Sequence, residues 1–162
     1  GTFDPVSEEG LDYSGIAKGY AVDKVAELLE KNDIANYFVE IGGEISAKGS
    51  KYSQPWVFGV EVPSEDENGA YMAFKVPETG ISVATSGEYR EPGHIWGAGP
   101  RDIVSVTVAD ADAASADAWA TALYVAGAEE GIALAEANDL AVFFILLDGS
   151  SKQSANWGKI FP

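Results

Sequence analysis

The chain has 162 residues, 46% of them hydrophobic, which suffices to bury the core of one domain and argues against disorder. Ten lysines and arginines stand against 26 aspartates and glutamates, and the net charge of −16 predicts no attraction to nucleic acid or anionic lipid. The sequence has no cysteine, which excludes disulfides, and no apolar stretch approaches the roughly 20 residues that span a bilayer.

The first predicted element is a helix that begins at Ile16, after turn-rich residues that we expect to form a loop. One helical face is indicated by four apolar residues at i, i+3, i+4 and i+7 spacing, namely Val22, Val25, Ala26 and Leu29. The pattern predicts that this helix ends near Asn32.

The next segments predict antiparallel strands, because hairpin-length connections separate short β-rich runs. Gly42 and Gly43 predict a sharp turn or bulge, and the acidic run 64–69 predicts a hairpin loop. The strands are predicted at Asn36–Ile41, Glu44–Ala47, Trp56–Val62, Tyr71–Val76 and Ile81–Thr85.

The second half predicts a Gly/Pro-rich loop, two helices and more strands. In chain order these are a loop at Arg90–Asp102, a strand at Ile103–Val108, helices at Ala113–Val125 and Glu129–Asn138, a buried strand at Ala141–Leu147 and an edge strand at Asn156–Phe161. Together the elements predict a single α+β domain over residues 1–162, with two to three helices packed on a mostly antiparallel sheet.

Asp117 and Thr121 are the first candidate functional residues, because a helix places side chains four residues apart on one face. A carboxylate and a hydroxyl are hard oxygen donors that suit Mg²⁺ better than zinc. Solvent-facing or capping roles are the commoner alternative for such residues in an alanine-rich helix. The bulky neighbours Trp119 and Leu123 predict that this helix is partly buried.

The stretch SGIAKGY, residues 14–20, resembles neither a P-loop nor a dinucleotide fingerprint, because it lacks the required spacing. Gly15 and Lys18 at the start of a helix leave two interpretations, a structural turn or a contact to an anion. ATSGEY (84–89) and VEIGGE (39–44) likewise indicate either plain turns or backbone that approaches a ligand. His94, the single histidine, is predicted to be exposed in a loop.

Five segments in order along the chain resemble the ApbE-type flavin transferases. They are GIAKGYAVD, VEIGGEISAKG with PWVFGVEVP, ATSGEYR, SVTV and ADAWATALYVAG, and the resemblance runs from about Leu11 to Leu147. It implies an ApbE-like core, also described as T-fold-like, and the Mg²⁺-dependent activity of an FAD:protein FMN transferase.

This activity splits FAD at its pyrophosphate and attaches FMN through a phosphoester to a threonine or serine of a target protein. The targets are subunits of membrane electron-transport complexes. Family members usually act outside the cytoplasmic membrane, often as lipoproteins, so the resemblance implies an extracytoplasmic location. No signal segment is visible in the sequence.

The resemblance also assigns roles to individual residues. It implies that Asp117, Thr121 and the backbone carbonyl of Ala17 bind Mg²⁺, with Lys18 close enough to help with phosphate charge. His94 would handle the proton of the acceptor hydroxyl. The residues implied to line the nucleotide are Gly42, Gly43, Glu44, Thr85, Ser86 and Gly87.

Two departures from the family pattern leave alternatives open. Family members are usually about twice this length, with an N-terminal half that helps to hold the flavin ring, and the loop after His94 reads IWGAGPRD instead of the usual continuation. The alternatives are a non-catalytic flavin-binding module and a pyrophosphatase that releases FMN and AMP from FAD.

Overall fold

A computed structural model describes residues 12–61, 69–89, 92–97 and 99–162. The predicted loop at residues 1–11 and most of the predicted hairpin loop at 64–69 lie outside this part. The described helices are α1 (Ser14–Lys31), α2 (Ala113–Ala137) and α3 (Ala155–Ile160). The described strands are β1 (Tyr37–Ile41), β2 (Glu44–Lys48), β3 (Ser50–Lys51), β4 (Gln54–Pro55), β5 (Val57–Glu61), β6 (Ala70–Lys75), β7 (Ile81–Gly87), β8 (Ile103–Asp110), β9 (Ala141–Leu146) and β10 (Ser151–Gln153).

Six strands form one antiparallel sheet in the order β1-β2-β7-β8-β9-β10, while β3-β4 and β5-β6 form separate hairpins. The predicted α+β class with a mostly antiparallel sheet is therefore confirmed. Gly42 and Gly43 form the predicted turn between β1 and β2, and both have positive φ angles, 62° and 101°. A two-residue turn with positive φ at both positions favours glycine and matches the twist of a hairpin.

The sheet separates two apolar cores because successive side chains on a strand point to opposite faces. On β9, Val142 and Phe144 pack towards α2, whereas Phe143 and Ile145 pack towards the β5-β6 hairpin and α3. The central strands β8 and β9 are buried on both faces, which explains their almost continuous apolar sequence.

The predicted edge strand at Asn156–Phe161 is wrong, because this segment forms helix α3. Ser154 caps the helix, and its Oγ accepts a hydrogen bond from the Trp157 N–H at 3.3 Å. Trp157 is fully buried, and its ring centroid lies 4.6 Å from that of Phe161, four residues later. The two aromatic residues thus share one helical face. Residues four apart also lie on one face of a strand, so this spacing in the sequence does not distinguish the two kinds of element.

The two helices predicted after Ala113 are present, and they follow each other directly around a break at Gly127. This residue has φ 80° and ψ −179°, which is not helical. The Asp102 carboxylate accepts a hydrogen bond from the Ala128 N–H at 3.0 Å, so it caps the second half of α2. Helix α1 begins at Ser14 and not at Ile16, so the SGIAKG segment is the first part of the helix and not a turn before it.

Asp23 on α1 fixes where α2 begins. Its carboxylate oxygens accept hydrogen bonds from the N–H groups of Ala113 at 2.7 Å and Ala114 at 2.9 Å. These are helix N-terminal donors that have no partner within their own helix. Asp112 accepts from the Ser115 N–H at 2.7 Å, so three donors of the first turn are satisfied.

Replacing Asp23 with alanine should lower the free energy of unfolding by about 1–2 kcal/mol, because two helix N–H groups lose their acceptor. Urea denaturation followed by circular dichroism measures this change. The control is Glu129→Ala on the exposed face of α2, which we expect to leave the unfolding midpoint unchanged. Equal midpoints for Asp23→Ala and the control would contradict the capping role.

Within the described residues, no helix combines the length and the hydrophobicity needed to cross a membrane.

Candidate functional site

The candidate site lies where α1 and α2 pack closely against each other. Gly15 and Gly19 are four residues apart on α1, and they face Thr121 and Ala113 of α2. A Cβ atom built on Gly15 would lie 3.3 Å from Thr121 Oγ1, and one built on Gly19 would lie 2.2 Å from the Ala113 carbonyl oxygen. The lack of side chains at these glycines therefore lets the helices approach each other at the position of Asp117.

Asp117 is buried in this contact, with 3% of its surface exposed. Its Oδ2 accepts a hydrogen bond from the Gly19 N–H at 3.0 Å. Burial raises the pKa of the Asp117 carboxyl above its ordinary value, since the charged form is poorly solvated. The Gly19 hydrogen bond and the charge of Lys18 act in the opposite direction without cancelling the effect of burial.

Thr121 connects the helix pair to the end of β7. The Oγ atoms of Ser86 and Thr121 are 3.3 Å apart, and Ser86 is 9% exposed. Thr85 points to the opposite face of the sheet, where its Oγ1 lies 2.9 Å from Thr107 Oγ1. Of the predicted ATSG residues, the structure therefore brings the Ser86 side chain to Thr121, and the Thr85 side chain belongs to a pair across the strands.

The glycine at position 87 is explained by the packing of two strands, independently of any ligand. A Cβ atom at this position would lie 2.7 Å from the Val104 carbonyl oxygen, in the neighbouring strand. The close approach of the two backbones requires glycine there.

Lys18 and Glu44 form an ion pair beside Asp117. The Lys18 Nζ lies 2.5 Å from Glu44 Oε1, and Glu44 is 1% exposed. Among the described residues, no group hydrogen-bonds the other carboxylate oxygen, Oε2, although it is buried. A Cβ atom on Gly42 would lie 3.3 Å from Lys18 Cδ, so the β1-β2 turn closes over the lysine side chain.

Burial raises the pKa of Glu44, and the negative charge of Asp117 raises it further, whereas the hydrogen bond and charge of Lys18 lower it. Glu44 and Asp117 are therefore close enough to repel each other. The Lys18 charge acts on both carboxylates. The structure thus brings together four predicted residues, Lys18, Gly42, Glu44 and Asp117, and Lys18 lies in the second turn of α1.

His94 is exposed in the segment 92–97, which follows β7. Glu88 was not among the predicted site residues, and its carboxylate holds this segment by accepting hydrogen bonds from the N–H groups of Gly93 and Ile95. Asp23 was not predicted either. Their charge alone does not distinguish them in a strongly acidic chain, but Asp23 lies in GIAKGYAVD and Glu88 in ATSGEYR, two of the segments that carry the family resemblance.

The donors around Asp117 suit a hard cation with mixed oxygen ligands. In the described part of the chain, no three histidine, cysteine, aspartate or glutamate side chains converge as a metal site. The set of Asp117, Thr121 and the Ala17 carbonyl contains one carboxylate, one hydroxyl and one carbonyl, a set that fits Mg²⁺. Ala17 lies within α1; a carbonyl has two lone pairs, so a helical hydrogen bond leaves one available.

The fold and this site define a class of α+β protein in which buried carboxylates, hydroxyls and a lysine meet where two helices contact the sheet. The model of the ApbE family matches residues 4–144, and the chain belongs to this family.

Among curated proteins, the chain is 40% identical to the FAD:protein FMN transferase of Vibrio cholerae over 157 residues, covering 87% of this chain and 46% of that protein. It is 32% identical to the Escherichia coli K12 protein of the same name, covering 87% and 44%. The structure of the flavin transferase ApbE from Vibrio cholerae aligns with a TM-score of 0.82 and 38% identity, covering 95% of this chain and 53% of that one. The ApbE protein of Thermotoga maritima aligns with a TM-score of 0.78 and 29% identity, covering 94% and 54%. The chain spans about half the length of the proteins it matches.

Proposed function

We propose that this chain carries the pyrophosphate site of an Mg²⁺-dependent FAD:protein FMN transferase. The observation that carries the proposal is the α1-α2 contact, which buries Asp117 beside Thr121 and Lys18. A buried carboxylate is costly unless it is paired or binds a cation, and Gly19 is its one hydrogen-bond donor among the described residues. A hard cation would offset this cost and suits a ligand that is itself polyanionic.

In the proposed reaction, the hydroxyl oxygen of a threonine or serine attacks the phosphorus on the FMN side of FAD. A new P–O bond forms, the bond to the bridging oxygen breaks, and AMP leaves with that oxygen. His94 accepts the hydroxyl proton. A bound Mg²⁺ would neutralise negative charge on the pyrophosphate and on the departing phosphate.

The remaining residues bind and orient FAD. The Lys18 ammonium, half exposed and next to two carboxylates, provides a positive charge for the phosphates in a chain of net charge −16. Gly42 and Gly43 are exposed and present backbone without side chains to the ligand. Glu44 Oε2, which has no hydrogen-bond partner among the described residues, can accept a hydrogen bond from a ligand hydroxyl, which would satisfy this buried atom. The resemblance to the family supports two further parts of the proposal. The acceptor is a subunit of a membrane electron-transport complex, and the protein acts outside the cytoplasmic membrane.

The test is incubation of the chain with FAD, Mg²⁺ and an acceptor protein that carries a threonine-containing target motif. We expect a fluorescent flavin-labelled acceptor band and one AMP released per label, both abolished by EDTA and restored by excess Mg²⁺. If AMP and FMN are released equally with and without the acceptor, the activity is hydrolysis of FAD and not transfer of FMN. FAD binding without any AMP would replace it with a non-catalytic binding role, and a lack of FAD binding would contradict the proposal altogether.

A further inference from the structure

The carboxylate of Glu88 lies directly after β7 and binds the segment that carries His94. Its Oε1 accepts hydrogen bonds from the Gly93 N–H at 2.9 Å and from the Ile95 N–H at 3.3 Å. These two amides stand on either side of His94 in the chain. The backbone at His94 is therefore held from both neighbours by one side chain.

The second carboxylate oxygen ties the same segment to Arg101 and to α2. Arg101 Nη1 lies 2.5 Å from Glu88 Oε2, and the Tyr124 hydroxyl approaches it at 3.5 Å, at the long limit for a hydrogen bond. Arg101 Nη2 also donates to the Ile95 carbonyl at 3.4 Å. Burial raises the pKa of Glu88, but the Ile95 hydrogen bond and the Arg101 charge outweigh it and leave the pKa lowered, so the carboxylate stays ionised at neutral pH.

This anchor point lies next to the candidate site. Ser86, two residues before Glu88, contacts Thr121, and Tyr124 stands one helical turn after Thr121. The continuation of the loop also packs tightly on α2, because a Cβ atom on Gly99 would lie 1.5 Å from the Val125 carbonyl oxygen. The segment is thus held at about one turn of α2 from the residues proposed to bind Mg²⁺.

We propose that Glu88 is a positioning residue, which acts through His94 by fixing the backbone on both sides of it. This inference rests on the proposed function, in which His94 accepts the proton of the acceptor hydroxyl. General acid–base catalysis requires the base within hydrogen-bond reach of the proton it takes, so a loosened loop should slow the chemical step more than it weakens FAD binding.

The first test measures amide hydrogen exchange and does not depend on activity. In Glu88→Ala, we expect the amides of Gly93 and Ile95 to exchange at least about 10-fold faster than in the wild type, because their acceptor is gone. The amides of α1 should be unchanged. Glu130→Ala, on the exposed surface of α2, is the matched control and should leave both amides as they are. Unchanged exchange at Gly93 and Ile95 in Glu88→Ala would overturn the inference.

The second test is a double-mutant cycle with His94→Ala. We expect Glu88→Ala to lower kcat about 10- to 100-fold with little change in the KM for FAD. Glu88→Gln keeps an acceptor for the amides and should retain more activity. In the His94→Ala background, Glu88→Ala should lower kcat no further, because its effect passes through the histidine.

Losses that multiply in the double mutant, or a His94→Ala enzyme with full activity, would show that Glu88 does not act through His94. A wild-type chain that transfers no FMN would contradict the proposed function instead. In that case the exchange experiment still decides whether Glu88 holds the loop.

Discussion

Replacing Asp117 with asparagine should lower Mg²⁺-dependent FMN transfer about 100-fold or more and, in the absence of metal, make the fold more stable. The activity falls because the carboxylate is the one anionic donor in the proposed Mg²⁺ set. The stability rises because burial of the charge opposes folding, whereas asparagine can still accept the Gly19 hydrogen bond. Asp117→Ala should lose activity equally without that gain, because the Gly19 N–H then lacks its acceptor.

The pH dependence of this stability follows from the raised pKa of Asp117. Between the ordinary value of 3.8 and the raised value, the folded state binds the proton more often than the unfolded state. The wild type therefore loses stability as the pH rises through this window, and the asparagine variant does not. The gain in the variant should be absent below about pH 4 and should grow as the pH rises from there towards the raised pKa of Asp117.

Thermal unfolding at pH 4 and pH 7, with and without Mg²⁺, measures both effects. Metal-free Asp117→Asn should unfold a few degrees above the wild type at pH 7, and added Mg²⁺ should raise the midpoint of the wild type only. Asp110→Asn is a matched control, because burial also raises the pKa of Asp110, which lies at the end of β8 and outside the proposed ligand set. It should keep the response to Mg²⁺. An equal Mg²⁺ response in Asp117→Asn would refute the metal assignment.

Replacing Gly19 with alanine should destabilise the protein by about 3 kcal/mol or more, despite the higher helix propensity of alanine. The new Cβ would lie 2.2 Å from the Ala113 carbonyl oxygen, 2.6 Å from its carbon and 2.9 Å from the Ala114 Cα. All three are backbone atoms at the start of α2, which Asp23 holds in place, so neither helix can yield locally. Urea denaturation gives the free energy of unfolding.

Gly15→Ala is the informative comparison, because the three atoms nearest to its Cβ would all belong to the Thr121 side chain, at 3.3–3.6 Å. We expect this variant to remain folded and to bind Mg²⁺ more weakly, since Thr121 must move. Similar unfolding free energies for the two glycine variants would contradict the close packing of the helices at Gly19.

The regular part of the fold was predictable because the long elements have clear periodicity. The apolar spacing of α1 and the continuous apolar run of β9 each determined the type of element. The segment Asn156–Phe161, most of which forms helix α3, was mistaken for a strand because its two large aromatics are four residues apart, a spacing that fits either period. The hairpin β3-β4 and strand β10 are only two or three residues long, too short for any period to show.

Part of the candidate site followed from spacing alone, since residues four apart in a helix share a face. This spacing correctly predicted that Asp117 and Thr121 are neighbours on one helix. The contacts of Gly19 with Asp117, and of Lys18 with Glu44, are separated by 98 and 26 residues, and they exist only once α1, α2 and the β1-β2 turn are assembled. No local pattern encodes such a pairing.

The break at Gly127 divides α2 into two units that can open independently of each other. The first unit carries Asp117, Thr121 and Tyr124 and is held by Asp23, whereas the second begins at Ala128 under the cap of Asp102. Because the backbone at Gly127 is not helical, fraying that begins at the carboxyl end of α2 need not travel into the first unit. The turns that carry the residues proposed to bind Mg²⁺ are thereby separated from fraying at the carboxyl end of their own helix.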